Sequence, residues 1–228
     1  MGKTRFCIHP KEELQRVQNI GGTKEIKMDR LRSLKPDLII GEKEENTPEM
    51  VAELEKEFPV FVTEVRDFEA AQQMILDLGL ITGSLDIATK IAAASAQSIS
   101  NISSFEQPIS CLYYIWKDPW MVVGADTFID SVLQKCQFEN LGTQLEGRYP
   151  MFDENHFLQK PPQVILLSSE PYPFKTSHFG DIRNIFPDSL IKIVAGEMFS
   201  WYGSHMIGVE NYLNLLLEEV KMGLFLKG

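Results

Sequence analysis

The chain has only three cysteines, Cys7, Cys111 and Cys136, odd in number and far apart. Neither a disulfide framework nor a zinc knuckle is written into such spacing. Its four histidines, His9, His156, His178 and His205, form no close His-x-His or His-Glu pair, so the short metal-binding patterns are missing. Positive charge is scarce: 22 Lys and Arg against 32 Asp and Glu leave a net charge of -10. That balance argues against a surface that tracks nucleic-acid phosphates or an anionic membrane. No apolar run reaches about 18 residues, so nothing reads as a membrane-spanning helix. The opening MGKTRFCIHP is too polar for the core of a signal peptide, and Phe6 stands where a myristoylation signal needs Ser or Thr. Gly-x-Gly-x-x-Gly, Gly-x-Ser-x-Gly and Cys-x-x-Cys are all absent, which removes the common nucleotide, hydrolase and redox signatures. Gly2-Lys3-Thr4 resembles the tail of a phosphate loop, but no strand and glycine precede it, and Pro10 interrupts the stretch where the loop's helix would run.

What is present is enough apolar material for one large core or two small ones: 44% of 228 residues. Leu85, Ala88, Ala92, Ser95, Ile99 and Ile102 alternate spacings of three and four, which predicts one helix over 84–104, capped by Ser84. At about 1.5 Å per residue that helix is about 30 Å long, the width of a small domain. On either side of it similar units recur. The first has a helix over 26–35, the apolar strand run Asp37 to Gly41, and a helix opened by Thr47-Pro48, a cap followed by proline at the first helical position. A strand over 58–62 closes that β-α-β unit. Beyond the central helix come a strand over 109–116, a helix over 125–135, a strand in Pro162 to Leu167, a helix from Thr176, a strand over 190–194 and a last helix over 203–222. Lys160-Pro161-Pro162 mirrors Lys35-Pro36, and Phe186-Pro187 mirrors Phe58-Pro59. The expected domains are therefore an N-terminal lobe over 1–67, a helical linker over 68–105 and a C-terminal lobe over 106–228. At some 30 residues per βαβ unit, the first lobe, with about 65 residues, looks short by one strand and one helix.

In open parallel sheets ligands sit beyond the carboxyl ends of the strands. Here those ends lead into aromatic loops. After Ile115 come Trp116 and Trp120, after Leu167 come Glu170, Tyr172 and Phe174, and after Val194 come Phe199, Trp201 and Tyr202. All three tryptophans of the chain fall in these loops. Large stiff rings give contact area at low entropy cost, which suits a flat ligand. Packing beneath neighbouring helices is the plainer explanation for any one of them.

At these residues the chain resembles a known family. IGGTKEIKMDRLRSLKPDLIIGEKEEN, Ile20 to Asn46, is similar to the first-lobe signature of the substrate-binding proteins of ABC importers, in the branch for cobalamin, ferric siderophores and haem. Trp120 to Gly124, the helix to Cys136 and Phe138-Glu139-Asn140 resemble its second-lobe segment; Arg148-Tyr149-Pro150 and Pro162 to Leu167 resemble two further motifs. The resemblance implies an α/β fold of class III: two Rossmann-like lobes with mainly parallel sheets, joined by one long spanning α-helix. It implies a solute-binding protein, not an enzyme, that captures a metal chelate in an inter-lobe cleft and hands it to an ABC importer permease. It places ligand contacts at Phe6 and the turn to His9, at Glu42, Lys43 and Asn46, in the loop that carries Trp116 and Trp120, and at Phe199, Trp201 and Tyr202; Glu170 and Tyr172 join them as expected contacts from their place at a strand end. No intrinsic cofactor and no bare metal site are expected, because cobalamin or an iron chelate brings its own metal; His9 is the one histidine set in a ligand turn. Expected partners are the chelate and the permease, not nucleic acid.

Two departures from the family pattern stand out. Its opening strand and helix, with a "SL.PS.TE" motif, have no counterpart before Gly2, as a late translation start, a trimmed chain or a lost unit would each explain. No signal peptide or lipid-anchor cysteine is visible, so the periplasmic or cell-surface location that the family implies competes with a cytoplasmic one. A cytosolic cofactor-handling or enzymatic role is the alternative, motivated by that absence and the free cysteines.

Overall fold

The computed structural model describes residues 1–227, so Gly228, the end of the expected C-terminal lobe, lies outside the described residues. The chain divides into two compact units, one ending at Glu64 and the other running from Val65 onward.

The first unit is built from short elements. Strand β1 (Gly2–Lys3) pairs in parallel with β2 (Gln18–Asn19), with the one-turn helix α1 (Lys11–Leu14) between them. Helix α2 (Met28–Leu34) leads into β3 (Ile39–Glu42), which pairs in parallel with β4 (Val60–Thr63) across α3 (Pro48–Glu55). The Thr47 hydroxyl caps α3 by accepting from the Met50 amide at 3.2 Å, and Pro48 fills the first turn, as its sequence predicts. Arg32 and Glu57 tie α2 to the end of the α3 turn at 2.7 Å.

The second unit opens with an antiparallel helix pair, α4 (Phe68–Ile81) and α5 (Leu85–Ser100). Asp67 caps α4 by accepting from the Ala70 amide at 2.7 Å. Ser84, by contrast, makes no side-chain cap bond to α5; its hydroxyl turns back towards the Thr82 carbonyl. The expected apolar face of α5 is largely a face of small residues: Ala88, Ala92, Ser95 and Ser98 are buried, while Leu85 is exposed. Small side chains let α4 and the turn at Gly203–Met206 approach closely, and Ser98 accepts from the Gly208 amide at 2.9 Å. The helix stops at Ser100 instead of running to Ser104. Asn214 explains the stop: its side chain donates to the Asn101 carbonyl and accepts from the Ser103 amide, satisfying groups that further helix would have used.

Then comes the sheet. Strand β5 (Ile109–Trp116) is followed by β6 (Met121–Val122), α6 (Phe128–Lys135), β7 (Phe138–Asn140), α7 (Glu154–Phe157), β8 (Val164–Ser168), α8 (Phe179–Ile185), β9 (Leu190–Val194), α9 (Glu197–Ser200) and α10 (Val209–Phe225). The order is β6-β5-β8-β9, with β7 also on β5; only β6 runs antiparallel. Strand β8 and most of β5 read as near-continuous apolar runs because both of their faces are covered. Cys111, Tyr113, Ile115, Val164 and Leu166 face a core shared with α5, α6 and α10. Leu112, Tyr114, Ile165 and Leu167 face the opposite core, closed by Phe157, Ile182 and Phe186. The last helix begins at Val209, not at Gly203, because Gly208 sits in the left-handed region at φ 87° and separates it from a short 3-10 turn. The result is an α/β fold with mostly parallel sheets.

Candidate functional site

Strands β5, β8 and β9 are parallel neighbours, so their carboxyl ends lie on one edge of the second unit's sheet. Trp116 ends β5, 40% exposed as a residue, with its ring edge-on to Tyr172 at 5.8 Å. Tyr172 in turn leans on Phe174 at 4.7 Å, and His178 packs against both rings at 5.6 and 5.5 Å. Trp120 stacks on Phe174 at 5.7 Å with the planes 17° apart and meets Tyr114 edge-on, so its ring is largely committed to packing. The Lys117 ammonium lies 5.1 Å from the Trp120 ring and 2.6 Å from Asp181, whose hydrogen bond holds the lysine above its usual pKa range.

The turn after β9 sorts its aromatics by depth. Phe199 is fully buried, 5.1 Å from the Tyr113 ring, so the expectation that it lines a ligand surface is corrected: it anchors the turn in the core. Trp201 and Tyr202 remain partly exposed, against His205 at 5.4 Å and Phe128 at 5.4 Å respectively. Glu170 sits among them. The Trp201 indole N–H donates to Glu170 Oε1 at 2.7 Å, and the Ser200 hydroxyl lies 3.0 Å from the same oxygen. Ser168 donates to the Glu170 carbonyl and accepts from the Tyr113 hydroxyl at 3.2 Å. A Cβ at Gly196 would come within 2.4 Å of Ser168 Oγ and 2.6 Å of Glu170 Cγ, so only glycine lets the two loops close to this distance.

In the first unit the expected residues fall in two turns. Phe6 is exposed, with the Arg5 guanidinium 5.0 Å from its ring, and His9 is exposed in the same turn. Glu42, Lys43 and Asn46 share the turn after β3. The Glu42 carboxylate accepts from the amides of Glu44 and Glu45 at 2.7 and 3.1 Å; Asn46 Oδ1 accepts from the Glu42 amide and its Nδ2 donates to the Thr23 carbonyl. Burial pushes the Glu42 carboxyl above its usual range, against the lowering effect of those two amides. Lys43 pairs with Glu64 at 2.9 Å. These contacts order the turn. Among the described residues, no group of three or more His, Cys, Asp or Glu is placed to hold a metal ion.

His178, Ser200 and His205 belong to the aromatic edge but were not expected there from sequence, whereas Phe174 was named in its loop and is buried. The histidines carry no signal for this place, because His178 is recruited by accepting from the Lys175 amide at 2.9 Å, a contact without a sequence pattern.

In open parallel α/β sheets ligands bind beyond the carboxyl ends of the strands, and these rings lie at those ends. The match to known proteins is more specific. Residues 2–184 match the family model described as periplasmic binding protein, and the chain belongs to that family. It is 26% identical over 169 residues to the vitamin B12-binding protein of Vibrio cholerae serotype O1 (strain ATCC 39315 / El Tor Inaba N16961), covering 72% of this chain and 61% of that protein. To the vitamin B12-binding protein of Vibrio campbellii it is 23% identical over 161 residues, 69% of this chain and 58% of the relative. The chain thus spans about three fifths of the length of these curated relatives. Its fold matches the apo periplasmic haem-binding protein of Roseiflexus sp. RS-1 with a TM-score of 0.79 at 17% identity, over 98% of this chain and 90% of that one. It also matches the periplasmic vitamin B12 binding protein of Vibrio cholerae with a TM-score of 0.72 at 18% identity, over 98% and 87%. The motifs from Ile20 to Leu167 that carry the resemblance in sequence lie inside the matched residues.

Proposed function

We propose that this protein is the solute-binding component of an ABC import system, capturing a metal chelate (cobalamin, or a ferric siderophore or haem) and delivering it to the permease outside the cytoplasm. It acts by binding, not by catalysis. The observation that carries the reading is the row of partly exposed rings at the carboxyl edge of the second unit's sheet, Trp116, Tyr172, Trp201 and Tyr202. Such rings offer the broad, stiff, apolar contact that a planar macrocycle needs, and each ring pair contributes about 0.5–1.5 kcal/mol beyond area burial. The names of the relatives support the same ligand class. Phe6, His9, Glu42, Lys43 and Asn46 are proposed as further contacts, to be assigned one at a time.

The test is ligand retention. The protein is incubated with cobalamin, haemin or ferrichrome and desalted, and its visible spectrum and tryptophan quenching are recorded. One chromophore should be retained with quenching, and Trp201→Ala or Trp116→Ala should each weaken it by ~30-fold, as loss of an aromatic anchor of about 2 kcal/mol implies. Absence of retention with all three chelates overturns the proposal.

A further inference from the structure

Glu170 is a carboxylate at the centre of the aromatic edge, and it was expected to meet the ligand. Its surroundings point elsewhere. One carboxylate oxygen, Oε1, takes the Trp201 indole N–H at 2.7 Å and has the Ser200 hydroxyl at 3.0 Å. A charged acceptor makes these bonds stronger than neutral ones. The residue is itself fixed from behind: the Tyr113 hydroxyl in β5 donates to Ser168 in β8, and Ser168 donates to the Glu170 carbonyl. Burial pushes the Tyr113 phenol up, so its hydroxyl keeps the proton it donates. The Gly196 backbone packs against the Glu170 side chain where no Cβ could fit. Phe199, two residues before Trp201, is locked in the core on Tyr113. Tyr113 of β5, Ser168 of β8 and Glu170 after β8 are therefore linked to the Trp201 indole in the turn after β9. A ring at the rim of a binding edge contributes most when its orientation is set before the ligand arrives, because the ordering cost is then already met.

We infer that Glu170 is a positioning residue which fixes the Trp201 indole for stacking, and that it acts as a hydrogen-bond acceptor and not as a charge presented to the ligand. This rests on the binding reading above only for its consequence on affinity; the fixing of the indole is a property of the ligand-free protein.

The experiment separates the two. Proton–nitrogen correlation NMR of the ligand-free protein resolves the three indole N–H groups, and Trp201→Phe identifies that of Trp201. In Glu170→Ala the Trp201 resonance should move upfield and exchange faster with solvent, while those of Trp116 and Trp120 stay in place. Glu170→Gln keeps an acceptor oxygen and should restore both. Retention of cobalamin or haemin should fall on the order of tenfold in Glu170→Ala, the loss of one charge-assisted bond, and recover to within about threefold in Glu170→Gln. An unmoved Trp201 resonance in Glu170→Ala overturns the inference, as does a Glu170→Gln variant that binds as weakly as Glu170→Ala, which would mark a charge contact with ligand. If Glu170→Ala does not fold, Glu170→Gln and Trp201→Phe decide alone: rescue of the resonance by Gln supports the inference and its loss overturns it. Wild-type protein that retains no chelate overturns the binding reading and leaves the NMR result standing.

Discussion

Two strands written in nearly the same letters meet different fates in the two units. Leu38-Ile39-Ile40 leads into β3 in the first unit, and Val164-Ile165-Leu166-Leu167 forms β8 in the second; each follows a Lys-Pro and each opens a parallel β-α-β pair. Yet every residue of β8 from Val164 to Leu167 is fully buried, while Ile40 is 51% exposed and Val62, on β4, is 37% exposed. The difference is the number of neighbours. β8 has β5 on one side and β9 on the other, with side-chain layers on both faces, whereas among the described residues β3 pairs with β4 alone. Among the described residues of the first unit, only Leu31 and Leu54 are fully buried large apolar side chains. An apolar run encodes a strand, but how much of it leaves water depends on how many elements the rest of the chain brings to it.

The two units should differ most in what a truncated side chain costs. Leu166→Ala, at the centre of the five-stranded sheet, should cost about 4 kcal/mol, since a cavity opens where neighbours on both faces hold their places. Ile40→Ala should cost under about 1 kcal/mol, because half its surface is already in water. Urea unfolding followed by circular dichroism measures both, and equal losses would break the comparison. Thiol chemistry gives a second reading. Cys7 in the first unit is exposed, whereas burial pushes the Cys136 thiol up to about 12 and Cys111 well above its usual range. A disulfide reagent at neutral pH should therefore modify one thiol per native chain and three in denaturant; fast reaction of a second thiol would mean that the sheet opens readily.

The smallest effect concerns Glu42. Its folded carboxyl titrates above the ordinary value of 4.5 because burial outweighs the two backbone amides it accepts from. The folded state therefore binds the proton more tightly than the unfolded chain does. The stability this lends is complete below about pH 4.5 and is lost as pH rises through the folded value. Glu42 is only partly buried, so solvent screening keeps the change small. Glu42→Gln should thus gain on the wild type between about pH 4 and pH 7, measured by denaturation midpoints across that range. A gain in the opposite direction would mean that the amide contacts outweigh burial.

Much of this was legible in advance for a physical reason: it is local. Alternation of three and four placed α5, predominantly apolar runs placed β5, β8 and β9, and Thr47-Pro48 placed the start of α3. Each depends on residues within a turn or two of one another, and the order of such signals along the chain also carries the family membership. Ser84 was a reasonable cap by the same logic, but its hydroxyl found the Thr82 carbonyl instead, a choice made by the turn that α4 imposes.

The candidate site was legible as an address and not as an arrangement. Sequence put Trp116, Tyr172, Phe199 and Trp201 at strand ends, and strands that are parallel neighbours must end together. It could not separate Phe199 from Trp201, two aromatic residues in one turn, because which ring enters the core depends on Tyr113 waiting beneath it, many residues earlier in the chain. Nor could it tell whether the Glu170 carboxylate faces outward or takes the Trp201 indole. The sequence by itself determined the main helices and strands, their order, the family and the edge where the aromatics gather, because those depend on short-range periodicity and composition. Burial depth and hydrogen-bond partnership were decided only by the tertiary structure, because both are set by groups distant in sequence that meet when β5, β8 and β9 pair.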